Sequence, residues 1–444
     1  MSLVAKFKRI TENKEHHKLF ENFLSLSVLN VVNYLFPLIL IPYLTRTLGV
    51  EKYGIYAFGL AIINYFSMLV SYGFDFSATK QVAIIRDNKA KLNRLFSSIL
   101  TIRLILVLIA LVLLTLSVSI IPKLYIEREL LFSGVGIFIG IALIPIWLFQ
   151  GLENMKVVAI VNFFTRLFST ALIFLFVKEQ MDYKLTLLFQ SCGYLVGGIL
   201  SIILSFKMFK IRLVLPEITE LMFQLKEGWH IFLSTIGMNF YRESNTVILG
   251  FVTNYTIVGY YAAAEKIIKV VQSFTSPIVN TLYPYFGRRL NVGENTSKNF
   301  LRFKKFGIYY SFLLIFITIS VTSLSPWIIR NYLGNLYVSS ITNIQIMSLV
   351  IVFGGLNYYY GIIGLVNIGK EALFARAVWI SGILSLLLCY ILSKTMLDKG
   401  AAISMVFAEV LLFLQILIYL KGTNNNTKYS TAKVLSDQLF NVNV

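Results

Sequence analysis

Nine ionisable side chains lie inside stretches that are otherwise apolar: Arg103, Arg166, Arg242, Lys266, Lys269 and Arg376, against Glu243, Glu265 and Glu409. The stretches are long enough to cross a bilayer, where each charge costs at least about 2.5–3.5 kcal/mol unless it faces protein or water. Arg166 is the most telling. It lies about ten residues into its stretch, near mid-bilayer at 1.5 Å per residue, too deep for its head to reach water easily. Arg242 and Glu243 are central in theirs, as is Glu409, which could also neutralise one of the arginines. Arg103 and Arg376 lie nearer the ends, from where a long side chain also reaches the headgroups. Glu265 and Lys269 are four apart with the acid first, the spacing of an internal ion pair.

Six cations against three carboxylates leave surplus positive charge inside the bilayer. A cavity of that sign suits a multiply charged anion, and guanidinium groups match phosphate oxygens two at a time. An amphipathic carrier with a sugar or phosphate head fits such a site: the head crosses the polar cavity while the tail stays in lipid. Arg103, Arg166, Arg242, Lys266, Lys269 and Arg376 are therefore candidate substrate-binding residues, and Glu265 and Glu409 candidate ion-coupling groups. Tyr260-Tyr261, Tyr309-Tyr310 and Tyr358-Tyr359-Tyr360 could stack on sugar rings, although interfacial aromatic belts explain tyrosines at such positions too.

Catalysis has no residues to stand on. His16, His17 and His230 lack metal-ligand spacing and a neighbouring nucleophile. Cys192 and Cys389 both sit in apolar runs, which disfavours a disulfide frame or a thiolate metal site. No metal or cofactor is expected, and the chain reads as a non-enzyme.

The elements that must position these residues follow from composition. Of 444 residues 57% are hydrophobic and only 14% charged, against about a quarter charged in a soluble chain. Crossings of about 20 apolar residues are expected at 23–45, 54–73, 96–121, 130–150, 157–177, 185–206, 229–253, 258–286, 303–328, 341–364, 371–393 and 400–420. The first follows a charged stretch and runs to spanning length, so it reads as a retained helix and not a cleaved signal. Pro37 and Pro42 interrupt the first crossing, Pro145 the fourth, and Pro277 and Pro284 the eighth, where kinks are expected.

The formal charge is +19, from 40 basic and 21 acidic residues. So little of the chain faces water that a nucleic-acid-binding face has nowhere to form. The basic residues instead cluster in the N-terminal tail and alternate loops, as at Lys80, Arg86, Lys89, Lys91 and Arg94, which puts both termini in the cytoplasm. The opposite loops are short and nearly neutral. None can hold an acceptor as a membrane polysaccharide polymerase would require.

The two halves echo each other. Leu48-Gly49 followed by Tyr53-Gly54-Ile55-Tyr56-Ala57 matches Leu249-Gly250 followed by Val258-Gly259-Tyr260-Tyr261-Ala262, with Gly54 and Gly259 205 positions apart. Further on, Gly151-Leu152-Glu153-Asn154-Met155-Lys156 echoes Gly364-Leu365-Val366-Asn367-Ile368-Gly369-Lys370 at an offset of 213. A unit of six crossings preserves topology, so the halves are expected to be parallel repeats with the substrate between them. The expected organisation is a segment 1–22, a first six-helix bundle 23–206, a linker 207–228, a second bundle 229–420 and a tail 421–444.

Four motifs carry a resemblance. Leu48-Gly49-Val50-Glu51-Lys52-Tyr53-Gly54, Gly73-Phe74-Asp75-Phe76-Ser77-Ala78-Thr79-Lys80, Pro145-Ile146-Trp147-Leu148-Phe149-Gln150-Gly151-Leu152-Glu153 and Gly259-Tyr260-Tyr261-Ala262-Ala263-Ala264-Glu265-Lys266 are similar to bacterial Wzx O-antigen flippases of the polysaccharide transporter family. The resemblance runs through almost the whole chain. It implies two six-helix bundles around a central cavity with a cationic lumen, in the superfamily that includes multidrug antiporters. It further implies movement of undecaprenyl-pyrophosphate-linked oligosaccharide across the bacterial inner membrane, drive by an ion gradient, and membrane lipid and other polysaccharide assembly proteins as partners. A small-molecule antiporter on the same scaffold is the alternative; cationic drugs would prefer an acidic lumen.

Overall fold

The computed structural model describes residues 14–291 and 296–440, with side chains for most residues between 32 and 421; residues 1–13, 292–295 and 441–444 lie outside the described residues. Every regular element among the described residues is helical. The first, α1 (Lys14–Ser71), is two helices joined at Gly49, whose φ of 68° and ψ of −178° suit only glycine. Tyr72 and Gly73 then both take left-handed φ values, 48° and 73°, and turn the chain into α2 (Phe74–Ile85). Next, α3 (Lys89–Ile120) is capped by Asn88, whose Oδ1 accepts the Lys91 N–H at 3.1 Å.

The fourth crossing is assembled from short helices: α4 (Pro122–Ile126) and α5 (Arg128–Ser133) lead into α6 (Val135–Leu143), and α7 (Ile146–Gly151) follows a break at Ile144-Pro145. Proline lacks the N–H that would continue α6, and it pushes Ile144 into the extended region (φ −87°, ψ 103°). Then come α8 (Met155–Phe176), α9 (Tyr183–Phe209), α10 (Ile218–Val252), α11 (Tyr255–Ser273), α12 (Ser276–Asn291) and α13 (Thr296–Ile328). The expected eighth crossing at 258–286 is thus divided between α11 and α12. Phe274 and Thr275 bond back only three residues ahead of Pro277, which has no N–H to extend the ladder. The chain ends with α14 (Ser340–Met347), α15 (Leu349–Asn357), a π-helical segment Tyr358–Val366 and α16 (Glu371–Phe440), itself two helices joined at Leu397.

Eight described stretches are long and apolar enough to cross a membrane. Two of them, Leu35–Ile85 and Glu371–Lys421, run to 51 residues and contain the breaks at Gly49 and Leu397. At 1.5 Å per residue each is about two and a half times the hydrocarbon thickness, so each holds more than one crossing. The solvent for these helices is legible in their surfaces. On α3 Leu104, Ile105, Leu108, Ile109, Val112, Leu113 and Leu116 are exposed, and on α13 Phe312, Leu313, Ile315, Phe316 and Ile319. Apolar stripes of this length belong against lipid.

The chain packs as two units: one of Met1–Ala262 with Tyr332–Leu336, the other of Ala263–Asn331 with Tyr337–Val444. In the first, α9 approaches its neighbours through small residues. A Cβ at Gly140 of α6 would lie 2.3 Å from the Tyr194 carbonyl, and one at Gly193 would lie 2.8 Å from Ser169 Cβ of α8. Lipid offers no hydrophobic drive between helices, so close backbone contact supplies the association. In the second unit Phe303 stacks on Tyr359 (centroids 5.0 Å apart, 8° between planes), and the Tyr359 hydroxyl donates to the Phe303 carbonyl at 2.8 Å.

Each half of the sequence also closes a helix in the same way. Glu153 (φ 56°) donates its N–H to Gln150 O and Asn154 to Phe149 O; Gly369 (φ 74°) donates to Val366 O and Lys370 to Leu365 O. Both are Schellman caps. Their geometry pairs Glu153 with Gly369, three positions away from the offset that the sequence match gives.

Candidate functional site

Arg103 is 1% exposed, and its charge is used locally. Its Nη2 donates to Asp75 Oδ1 at 2.8 Å, and Nη1 to the carbonyls of Ile144 at 3.0 Å and Ile141 at 3.4 Å. In an unbroken helix the Ile141 carbonyl would accept from residue 145, which is proline. The arginine therefore caps the break before α7 and ties it to α2. Around this clamp two of the motifs pack together. A Cβ at Gly151 would lie 2.6 Å from Val82 Cβ and 3.0 Å from the Thr79 carbonyl, and Thr79 Oγ1 donates to Trp147 O at 3.4 Å. Trp147 is buried beside Phe96.

Arg166 occupies a different setting. On α8 the exposed face is Ile160, Phe163, Phe164, Leu167 and Phe168. At 100° per residue Asn162, Thr165, Arg166, Ser169 and Ile173 fall on the opposite side. Arg166 is half-buried there, and its Nε donates to Asn162 Oδ1 at 3.0 Å, which orients the guanidinium plane. On α10, Glu243 accepts from Asn64 Nδ2 at 3.5 Å, and Ser244 shares a hydrogen bond with the Tyr65 hydroxyl. The side chain of Arg242 lies outside the described residues.

In the second unit Glu265 and Lys269 are brought together as an ion pair, Nζ to Oε1 3.2 Å, with Glu265 only 3% exposed. Lys266, on the same turn of α11, is half-buried. Glu409 is 1% exposed; Asn357 Nδ2 donates to its carboxylate at 2.7 Å and to its carbonyl at 2.9 Å. Asn357 is the last residue before the π-helical segment, and Gln272 packs on Gly354 beside the Glu409 carboxylate. Arg376 is exposed on α16, on the stripe that continues through Ile380, Ile383 and Leu387.

Three groups were not singled out from sequence. Asp75 is the partner of Arg103, Asn357 that of Glu409, and Asn343 donates to buried Asp398 at 2.8 Å. Asp75 stands inside a motif already noted, but a separation of 28 positions carries no signal that it pairs with Arg103. Asn357 and Asn343 are uncharged, and hydropathy passes over them.

An all-helical chain with repeated crossings, ionisable groups buried within its helices and helix breaks at their ends has the build of a membrane transporter. The chain belongs to the family described as polysaccharide biosynthesis protein, whose model matches residues 19–289. It is 29% identical over 410 residues to an Escherichia coli (strain K12) protein named "Putative O-antigen transporter", covering 92% of this chain and 98% of that one. A Shigella dysenteriae protein of the same name is 30% identical over 394 residues, covering 89% and 98%. Among solved structures the fold is similar to a lipid II flippase MurJ in an inward closed conformation (TM-score 0.72, 15% identity, 90% of this chain and 87% of that). It is also similar to an inward-facing multidrug resistance MATE family transporter of the MOP superfamily (TM-score 0.60, 14% identity, 91% and 99%). At such identities the similarity is one of fold. Family and fold together support the Wzx-type resemblance and a transporter without enzymatic chemistry.

Proposed function

We propose that this chain is a flippase that moves a lipid-linked oligosaccharide from the cytoplasmic to the periplasmic leaflet of the bacterial inner membrane. The similarity over nine-tenths of its length to proteins named for O-antigen transport carries this reading. The carrier is undecaprenyl pyrophosphate, and transport proceeds by alternating access between two parallel six-helix bundles, 23–206 and 229–420, joined by 207–228. Both termini are cytoplasmic, as the basic loops require.

Arg166 is the leading cation for the pyrophosphate. It is half-buried on the polar side of α8 and held by a neutral amide, so its charge is not neutralised by Asn162. Arg242 and Lys266 belong to the same reading. Arg103, Lys269 and Arg376 contribute less, because the first two already have carboxylate partners and the third lies on an apolar stripe. Glu409, with Glu265 in the same unit, is the candidate ion-coupling group, since a carboxylate this buried changes its interactions most when it gains or loses a cation.

The test is complementation of a strain lacking its own O-antigen flippase. The wild-type chain restores surface polysaccharide; Arg166→Ala does not, at an equal amount of protein in the membrane, and Arg166→Lys restores part. Full output from Arg166→Ala would overturn the assignment of that residue. Failure of the wild-type chain in a strain supplied with its matching carrier-linked oligosaccharide would overturn the function.

A further inference from the structure

The repeat detected in the sequence meets itself in space. A Cβ at Gly54 would lie 1.9 Å from the carbonyl oxygen of Tyr255 and 2.8 Å from the amide nitrogen of Gly259. A Cβ at Gly259 would lie 2.2 Å from the carbonyl oxygen of Val50. Tyr255 is four residues before Gly259, and Val50 is four residues before Gly54. Each glycine therefore receives the carbonyl one turn ahead of its partner glycine, and the contact is reciprocal about a local two-fold relation at the 205-residue offset. All four residues belong to the first unit.

The surroundings tighten the same contact. Each helix start follows a break, at Gly49 and at Thr253-Asn254. Lys123 Nζ donates to the Thr253 carbonyl at 2.7 Å and stands 5.0 Å from the centre of the Tyr255 ring. Phe58, one turn beyond Gly54, lies edge-on to Phe251 and packs against Gly250.

We propose that Gly54 and Gly259 are the external gate of the transporter: the place where helices of the two repeats close against each other and must part once per cycle. This rests on the flippase reading and on the orientation that makes these nearly neutral loops external. The chemistry suits a gate. Two backbones in direct contact gain many dispersion and Cα–H···O contacts while closed. At the glycines the contact is mostly backbone, with Val50 Cγ1 the one side-chain atom beside Gly259, so the surfaces separate with little change of rotamer. A single methyl on either glycine has nowhere to go, because what it meets is backbone and not the end of a flexible side chain.

The experiment reads the gate itself. Cys192 and Cys389 are replaced by alanine and Val50→Cys is introduced, since Val50 Cγ1 lies 3.0 Å from the Gly259 Cβ direction and the residue is half-buried against the contact. Intact cells are treated with a membrane-impermeant maleimide. Labelling is low in this parent and rises by about ten-fold in Gly54→Ala and in Gly259→Ala, as a two-state equilibrium tipped from closed to open requires. The reciprocal geometry makes the two rises equal. Lys123→Ala, a change that adds no clash, raises labelling less but in the same direction. Gly193→Ala, whose methyl meets Ser169 Cβ at 2.8 Å within the α8–α9 contact, leaves it unchanged.

No rise in any of the three gate variants, or an equal rise in Gly193→Ala, would overturn the proposal. So would labelling of Val50→Cys only from the cytoplasmic side of inverted vesicles. The readout does not involve the cargo. Altered labelling in a chain that never restores polysaccharide would leave the gate standing and remove the function proposed above, and the reverse result would do the opposite.

Discussion

Replacing Arg103 by alanine separates a structural cation from a substrate cation. The change removes the 2.8 Å bond to Asp75 and the bonds to Ile144 O and Ile141 O. Deleting one partner of a buried pair costs about 3–5 kcal/mol when the remaining charge stays buried. The Asp75 side chain is 36% exposed, so water relieves part of this and roughly 1.5–2.5 kcal/mol remains. The carbonyls at the break add about 0.5–1 kcal/mol, since without the arginine the Ile141 oxygen keeps the Ile144 N–H and the Ile144 oxygen keeps the Ile146 N–H. The sum, about 2–3.5 kcal/mol, is a large share of the stability of an ordinary domain. Trp147 in α7 provides the assay: thermal unfolding of the purified protein followed by tryptophan fluorescence, alongside the amount of protein in the membrane. Arg103→Ala should melt at a markedly lower temperature and accumulate poorly. Arg103→Lys keeps the charge but not the fork that reaches both partners, and should fall between. Asp75→Asn keeps an acceptor and should be mild. An Arg103→Ala protein with native melting and abundance but no polysaccharide output would refute the reasoning and make Arg103 a substrate ligand.

Other outcomes follow from the same packing. Gly151→Ala places a methyl 2.6 Å from Val82 Cβ and should drive α2 from α7, with loss of folded protein measured by detergent size-exclusion chromatography. Glu127 lies between α4 and α5, outside the crossings, and burial raises its carboxyl above the ordinary 4.5 despite the Tyr183 hydroxyl, Lys52 and Lys184. A raised folded value means that its contribution to stability is complete below the ordinary value and is lost as pH rises through the folded value. Glu127→Gln should therefore remove a decline in melting temperature that the wild type shows from about pH 4.5 upward; an unchanged pH profile would contradict this. For Arg166, complementation with graded loss from lysine to alanine is the expected result described above.

That the chain is built of long apolar helices, with Arg103, Glu265 and Glu409 buried among them, was legible in the sequence, because bilayer length and the cost of charge in lipid act on local composition. The breaks at Pro145 and Pro277 were legible as well, since a missing N–H is a property of one residue. Partnership was not. Nothing in the chain near Arg103 says that Asp75, 28 positions earlier, takes its charge, and nothing near Glu409 points to Asn357. Depth along the stretch already set Arg166 apart from Arg376; the exposed face of each helix adds that the first is turned toward polar neighbours and the second lies on an apolar stripe. Gly54 and Gly259 were legible only as matched positions of the echo between the halves. That they interlock, each against the carbonyl before the other, is a fact of tertiary packing, because distance along the chain carries no information about which backbones can approach once the side chain is gone.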